Sequence, residues 1–169
     1  KNPSLDVELI LSNVLKKKRE YLILNENNKI RKQDERKFFR FVNRTKKGEP
    51  VSYITRKKNF WNSSFFINQN VLIPRPDSEH LVEQVLKLTT TSSSKSILDI
   101  GTGSGCLLLS ILKERKLFTG YGVDISKKSI YVSKINAKRL NLTNRTKFFT
   151  SNIDKFFFGK YDIIVSNPP

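Results

Sequence analysis

Asn167-Pro168-Pro169 follows the apolar run Tyr161-Asp162-Ile163-Ile164-Val165-Ser166. An asparagine at the end of a buried strand, with two prolines behind it, offers hydrogen-bond acceptors in a fixed cluster. The Asn167 side-chain oxygen and the Pro168 carbonyl can face outward, and neither proline has an N–H to compete. Such a cluster can hold a planar –NH2 group by both of its hydrogens. Upstream, Ile97-Leu98-Asp99-Ile100-Gly101-Thr102-Gly103-Ser104-Gly105 reads as a strand running into a glycine-rich turn. There Gly101, Gly103 and Gly105 let the backbone approach a ligand closely and turn sharply into a helix. Together the two segments point to methyl transfer onto an amide or amino nitrogen.

The cofactor follows from the spacing. A dinucleotide fingerprint wants Gly or Ala three residues after its second glycine. Position 106 is Cys and the pattern is G-x-G-x-G, which moves the expectation from NAD(P) to S-adenosylmethionine; a purely structural turn is the alternative. Asp124 ends the second strand, 23 residues beyond Gly101, where an acidic residue can accept hydrogen bonds from both ribose hydroxyls. Its alternative role is to cap the helix that starts near Ser126. Asp99 is expected to order the glycine turn or meet the cofactor's amine, with a buried structural carboxylate as the other reading. Cys106 stands where a helix N-terminus can lower a thiol pKa, but no base accompanies it. His80, the sole histidine, reads as structural, and Trp61 reads as packing. No His/Cys/Asp/Glu grouping has metal-ligand spacing, so no metal is expected.

The elements that must position these residues alternate in type. Strands are expected at Ser96–Ile100, Thr119–Val123, Lys147–Thr150 and Asp162–Ser166, and helices at Gly103–Lys116 and Ser126–Leu140, with Ser126 as N-cap. Ile130, Ile135 and Leu140 are expected to face the sheet. This alternation implies an α/β fold, a doubly wound parallel sheet with its ligand beyond the strands' C-terminal ends. Ahead of it, residues 4 to 53 carry a helical pattern (Val7, Ile10, Leu11, Val14; then Phe38, Phe41, Val42), broken by Gly48-Glu49-Pro50. Phe60-Trp61, Phe65-Phe66-Ile67 and Val71-Leu72-Ile73 read as short β segments between turn residues. Pro74-Arg75-Pro76 stops them, and Asp77 is expected to cap a helix carrying Leu81, Val82, Val85 and Leu88. The expected organisation is a helical domain at 1–58, a β-hairpin linker at 59–76 and a cofactor-binding domain at 77–169.

Composition bounds the rest. At 169 residues and 37% apolar content, the chain can form a core. No run approaches the roughly 20 apolar residues that span a bilayer, and no secretory pattern opens the chain. One cysteine fits a reducing compartment, so the expected location is cytoplasmic. The absence of methionine, and an end inside the Asn-Pro-Pro motif, give the expectation of a fragment lacking both ends and inactive by itself. The net charge of +17 divides at Pro76 into +11 and +6. It suits a polyanionic partner, but Lys supplies 22 of the 32 cations and Asn, Ile and Phe are over-used with it. That joint excess is equally the mark of AT-rich codons.

Taken together, Lys47-Gly48-Glu49-Pro50, Tyr53-Ile54-Thr55, Phe60-Trp61, Leu72-Ile73-Pro74-Arg75-Pro76-Asp77-Ser78-Glu79, the glycine turn, Asp124 and Val165-Ser166-Asn167-Pro168-Pro169 resemble the HemK-type release-factor glutamine methyltransferases. The resemblance covers nearly the whole chain. The glycine turn and Asn-Pro-Pro also occur in adenine-N6 methyltransferases, whereas the Ile-Pro-Arg-Pro-Asp-Ser-Glu stretch is more specific. The resemblance implies a class I (Rossmann-like) methyltransferase domain, incomplete at its C-terminus, acting on the glutamine of the Gly-Gly-Gln motif in class I peptide chain release factors. It implies a monomer, with nucleic acid not the direct substrate. Cofactor-binding residues would be Asp99, Gly101, Thr102, Gly103, Ser104, Gly105, Asp124, Asn152 and Ile153. Asn167 and Pro168 would be catalytic and, with Pro169 and Arg75, substrate-binding. Two departures stand out: Arg56 occupies a position where members often have Gly, and Asn152 replaces a frequent Asp. Three alternatives remain: methylation of another protein glutamine, of adenine on a flipped base, or an inert fragment.

Overall fold

The computed structural model describes residues 3–168, so Pro169 lies outside the described residues. The chain divides into two compact units, Lys1–Arg56 and Lys57–Pro169. The first holds four helices: α1 (Pro3–Leu15), α2 (Arg19–Leu24), α3 (Lys32–Lys46) and α4 (Val51–Thr55). Ile10, Val14, Phe41 and Ile54 form its buried core, with Phe38, Val42 and Val51 packed against them. Helix α4 ends on Arg56 in the left-handed region, at φ 54°. That conformation disfavours a side chain and suits glycine, so Arg56 sits where the backbone itself would favour a glycine.

The second unit opens with a hairpin of β1 (Lys57–Phe60) and β2 (Ser63–Phe66), paired from Lys57↔Phe66 to Phe60↔Ser63. Trp61 in its turn has φ 50°, a strained value for a bulky residue. It is held there by two carboxylates: the Trp61 backbone N–H donates to Glu79 Oε1 at 2.8 Å and its indole N–H to Glu114 Oε1 at 2.9 Å. Residues 67–75 have no strand, so the β segment expected at Val71-Leu72-Ile73 does not form. The turn residues Asn68-Gln69-Asn70 before it and Pro74 directly after it leave little room for a strand.

A 3-10 turn at Pro76–Ser78 leads into α5 (Glu79–Lys87). Asp77 lies inside that turn and does not cap the helix; Ser78 holds the cap position, without a side-chain cap bond. Then follow β3 (Ser96–Ile100), α6 (Cys106–Glu114), β4 (Thr119–Asp124), α7 (Lys127–Arg139), β5 (Thr146–Thr150) and β6 (Ile163–Ser166). The four strands make one parallel sheet in the order β5-β4-β3-β6. From β3 the chain winds outward through β4 and β5, then returns to the other side of β3 as β6. That reversal opens a crevice at the strands' C-terminal ends, the usual ligand position in such sheets.

Leu108, Leu109, Ile111 and Leu112 of α6 are fully buried; burying such a side chain stabilises by about 1.5–3 kcal/mol. Helix α6 starts at Cys106, not at the expected Gly103, because Gly101, Gly103 and Gly105 all take positive φ and the backbone is still turning. On α7 the apolar reading was incomplete. Ile130 is buried, but Ser129, Ser133 and Asn136 are buried beside it, whereas Ile135 and Leu140 are only partly covered. Asn136 explains why a polar side chain belongs there. Its Oδ1 accepts from Phe66 N–H at 2.7 Å, while Nδ2 donates to the Phe66 and Ser104 carbonyls at 2.9 Å each. One amide thereby joins the hairpin, α7 and the glycine turn.

Candidate active site

The strand β4 holds the glycine turn from below. Gly101 and Thr102 N–H groups both donate to the Val123 carbonyl, at 2.9 and 3.0 Å. Gly103 N–H donates to Asp124 Oδ2 at 3.0 Å. Gly101 has φ 71°, and a Cβ there would meet nothing within 4 Å. Its face is open to the crevice.

Asp99 is 1% exposed and does two structural jobs. Its Oδ2 accepts from Thr102 Oγ1 at 2.7 Å, and it accepts from the Leu108 N–H in the first turn of α6, an otherwise unpaired helix donor. Burial pushes its carboxyl up to about 7, against those two hydrogen bonds, with Asp124 adding to the rise. At Cys106 burial pushes the thiol up to about 12, against the lowering by the Ser104 hydrogen bond and the backbone N–H groups at the start of α6.

A groove of 410 Å³ runs along the strand ends, lined by Gly101, Gly103, Asp124, Ser151, Asn152, Ile153 and Asn167 among others. Among the described residues its lining contains no Lys or Arg. Asp124 Oδ1 accepts from Ser126 N–H at 2.8 Å, so the residue both braces the glycine turn and bonds the start of α7. Each of its oxygens retains a further acceptor site for a hydroxyl. Asn152 Oδ1 accepts from Asp154 N–H at 3.1 Å, which leaves its –NH2 as donor. Leu72, Ile125 and Ile153 offer exposed apolar surface on the walls, suited to a flat ring.

A smaller cavity of 50 Å³ adjoins it, bordered by Arg75, Ser78, Asp99, Thr102, Ser104 and Asn167 among others. Gly105 borders neither cavity. A Cβ there would come to 3.1 Å from Leu109 Cδ1 and 3.2 Å from Ser133 Cβ, so this glycine lets α6 pack against α7. Asn167 reaches both cavities. Its Nδ2 donates to Ser78 Oγ at 2.7 Å, and its Oδ1 makes no hydrogen bond among the described residues. Pro168 is exposed. His80 is exposed and meets Glu83 at 3.3 Å, away from the groove. The sequence reading gave no role to Ser78, Ser129 or Asn136, since each acts through a bond to a distant backbone or side chain. Among the described residues no cluster of His, Cys, Asp or Glu can hold a metal ion.

The parallel sheet, its glycine turn and the acidic strand end define a doubly wound domain built for a nucleotide-like cofactor. Residues 76–169 match the family described as the methyltransferase small domain, and residues 1–55 match the PrmC N-terminal domain. The chain belongs to the methyltransferase small domain family. Similar curated proteins carry the name release factor glutamine methyltransferase. The one from Buchnera aphidicola subsp. Schizaphis graminum is 41% identical over 99% of this chain and 60% of its own length. That from Clostridium acetobutylicum is 41% identical over 97% of this chain and 59% of its own. That from Borreliella burgdorferi is 37% identical, over 98% and 58%. The chain thus spans about 60% of the length of the curated relatives it matches.

Proposed function

We propose that the protein carrying this chain transfers a methyl group from S-adenosyl-L-methionine to the side-chain amide nitrogen of glutamine, in the Gly-Gly-Gln motif of class I peptide chain release factors. The observation that carries the proposal is Asn167, whose Nδ2 is tied to Ser78 while Oδ1 stays unbonded beside the groove. The names of its relatives support the same substrate. The residues present fit the cofactor: open glycines at the floor, an acidic strand end with spare acceptor capacity, and no cation to repel a sulfonium.

When bound, the cofactor supplies an electrophilic methyl that needs no further activation. The chain's own work is alignment. An amide nitrogen is a poor nucleophile because its lone pair is delocalised into the carbonyl. Asn167 Oδ1 and the Pro168 carbonyl accept the two N–H groups and aim the nitrogen. They also stabilise the positive charge that grows on it during attack. No strong base is required: attack would leave the neutral thioether and an N-protonated amide cation, and that cation is strongly acidic and loses its proton to solvent. In this reading the N-terminal domain, expected from the sequence at residues 1–58, recognises the substrate, and the protein works as a cytoplasmic monomer. Among the described residues no helix is long and apolar enough to cross a membrane.

The test is co-expression of the full-length protein with a release factor, followed by mass spectrometry of the Gly-Gly-Gln peptide. A gain of one methyl group on glutamine is expected, and Asn167→Ala should slow turnover roughly 100-fold with cofactor affinity little changed. Methyl label appearing on adenine in nucleic acid, with none on the peptide, would overturn the proposal.

A further inference from the structure

Ser78 sits at the end of the Pro76–Ser78 turn, directly before α5, and is 7% exposed. A serine at a helix N-terminus ordinarily turns its hydroxyl to the helix's own free N–H groups. This one makes no such bond. Its Oγ instead accepts from Asn167 Nδ2 at 2.7 Å, across 89 residues of chain. The turn that carries it is fixed from both sides. Ser78 N–H donates to the Arg75 carbonyl at 3.1 Å, and the next residue, Glu79, holds the hairpin through Trp61 N–H at 2.8 Å. Ser78 and Asn167 meet at the wall of the small cavity beside Gly101 and Asp99.

We infer that Ser78 is a positioning residue for methyl transfer, holding the Asn167 carboxamide with its oxygen toward the substrate; this rests on the function proposed above. A carboxamide can turn by about half a revolution and exchange its oxygen for its –NH2. The turned form sets donor against donor when a glutamine –NH2 enters. The anchored form offers Oδ1 as acceptor. The bond has a second effect. Donation from Nδ2 draws electron density toward the carbonyl, leaving more negative charge on Oδ1, as hydrogen bonds in series polarise one another. That charge matters most in the transition state, when the substrate nitrogen becomes positive. The uncapped start of α5 is the local cost of spending the hydroxyl on Asn167.

The experiment uses the full-length protein, S-adenosylmethionine and a release factor, with Ser78→Ala, Ser78→Cys, Ser78→Thr, Asn167→Ala and the Ser78→Ala/Asn167→Ala double variant. Single-turnover methyl transfer gives the rate, and calorimetry gives cofactor affinity. Ser78→Ala should lower kcat roughly 10-fold with KM and cofactor affinity nearly unchanged. Ser78→Cys, similar in size but a weak acceptor, should behave alike and carries the test if the alanine variant does not fold. Ser78→Thr, which keeps the hydroxyl, should restore most of the rate. In the Asn167→Ala background Ser78→Ala should add nothing, because both act through one group. Equal fold-losses from Ser78→Ala in both backgrounds, or a wild-type rate in Ser78→Ala and Ser78→Cys, would overturn the assignment alone. Absence of transfer to glutamine by the wild-type protein would overturn the function and this assignment with it.

Discussion

Each carboxylate oxygen of Asp124 already holds one backbone N–H, that of Gly103 on Oδ2 and that of Ser126 on Oδ1. The residue therefore shapes the glycine turn before any ligand arrives and still has acceptor capacity for hydroxyls. Asp124→Ala should weaken S-adenosylmethionine binding by about 1–3 kcal/mol, read by calorimetry on the full-length protein; unchanged affinity would assign Asp124 to the turn alone. Asp99 makes a different prediction, about pH. Its folded carboxyl is held at about 7 by burial, against an ordinary value of 3.8. Between those values the unfolded state ionises while the folded state keeps its proton, so stability falls as pH rises through the window and levels off above it. Urea unfolding of ligand-free wild type and Asp99→Asn should diverge from pH 4 to 7, wild type losing stability relative to the variant. Parallel curves would contradict the burial argument.

At the scale of elements, the packing of α6 against α7 depends on Gly105. Its φ of 78° disfavours any side chain, and Leu109 and Ser133 already occupy the space around it. Gly105→Ala should cost about 1–3 kcal/mol of stability, seen as a lower urea midpoint in the absence of ligand. An effect seen only on cofactor affinity would assign this glycine to cofactor binding and not to helix packing. The same junction relies on Asn136, whose amide bridges Phe66 and Ser104. The hairpin, the glycine turn and α7 are thus one mechanical assembly. The Pro76–Glu79 segment extends it, reaching Asn167 through Ser78 and Trp61 through Glu79.

For the molecule as a whole, β6 is paired with β3 on one side only, among the described residues. Its start is secured where the Asp162 carboxylate accepts from Ser96 N–H at 2.7 Å and from its hydroxyl at 2.8 Å. Its other edge presents unpaired backbone groups, and Ile164 is 61% exposed. Such an edge is a template for strand addition. Residues 1–169 expressed alone should self-associate in sedimentation, and Ile164→Lys should reduce it; a monomer at all concentrations tried would show the edge to be protected. The +17 net charge has no counterpart in the groove, whose lining among the described residues carries one carboxylate and no cation.

The sequence by itself determined the alternation of strands and helices, the position of the glycine turn and the acidic end of β4. Such features are written in local periodicity and in residues that permit particular backbone angles. The four sheet strands fall where the apolar runs put them, within a residue at each end, and Ser126 caps α7 as its type suggests. Only the tertiary structure decided what those residues touch. Asp77 looked like a cap, but the 3-10 turn takes it and Ser78 out of capping. Cys106 looked accessible to a helix dipole, but burial governs its thiol. Gly105 reads in sequence as part of the glycine turn, and the tertiary structure adds that Leu109 and Ser133 crowd it where α6 meets α7. The bond from Asn167 to Ser78 spans 89 residues, and no local pattern records it. Hydrogen bonds and burial depend on which segments the sheet brings together, and that is fixed when β6 returns beside β3.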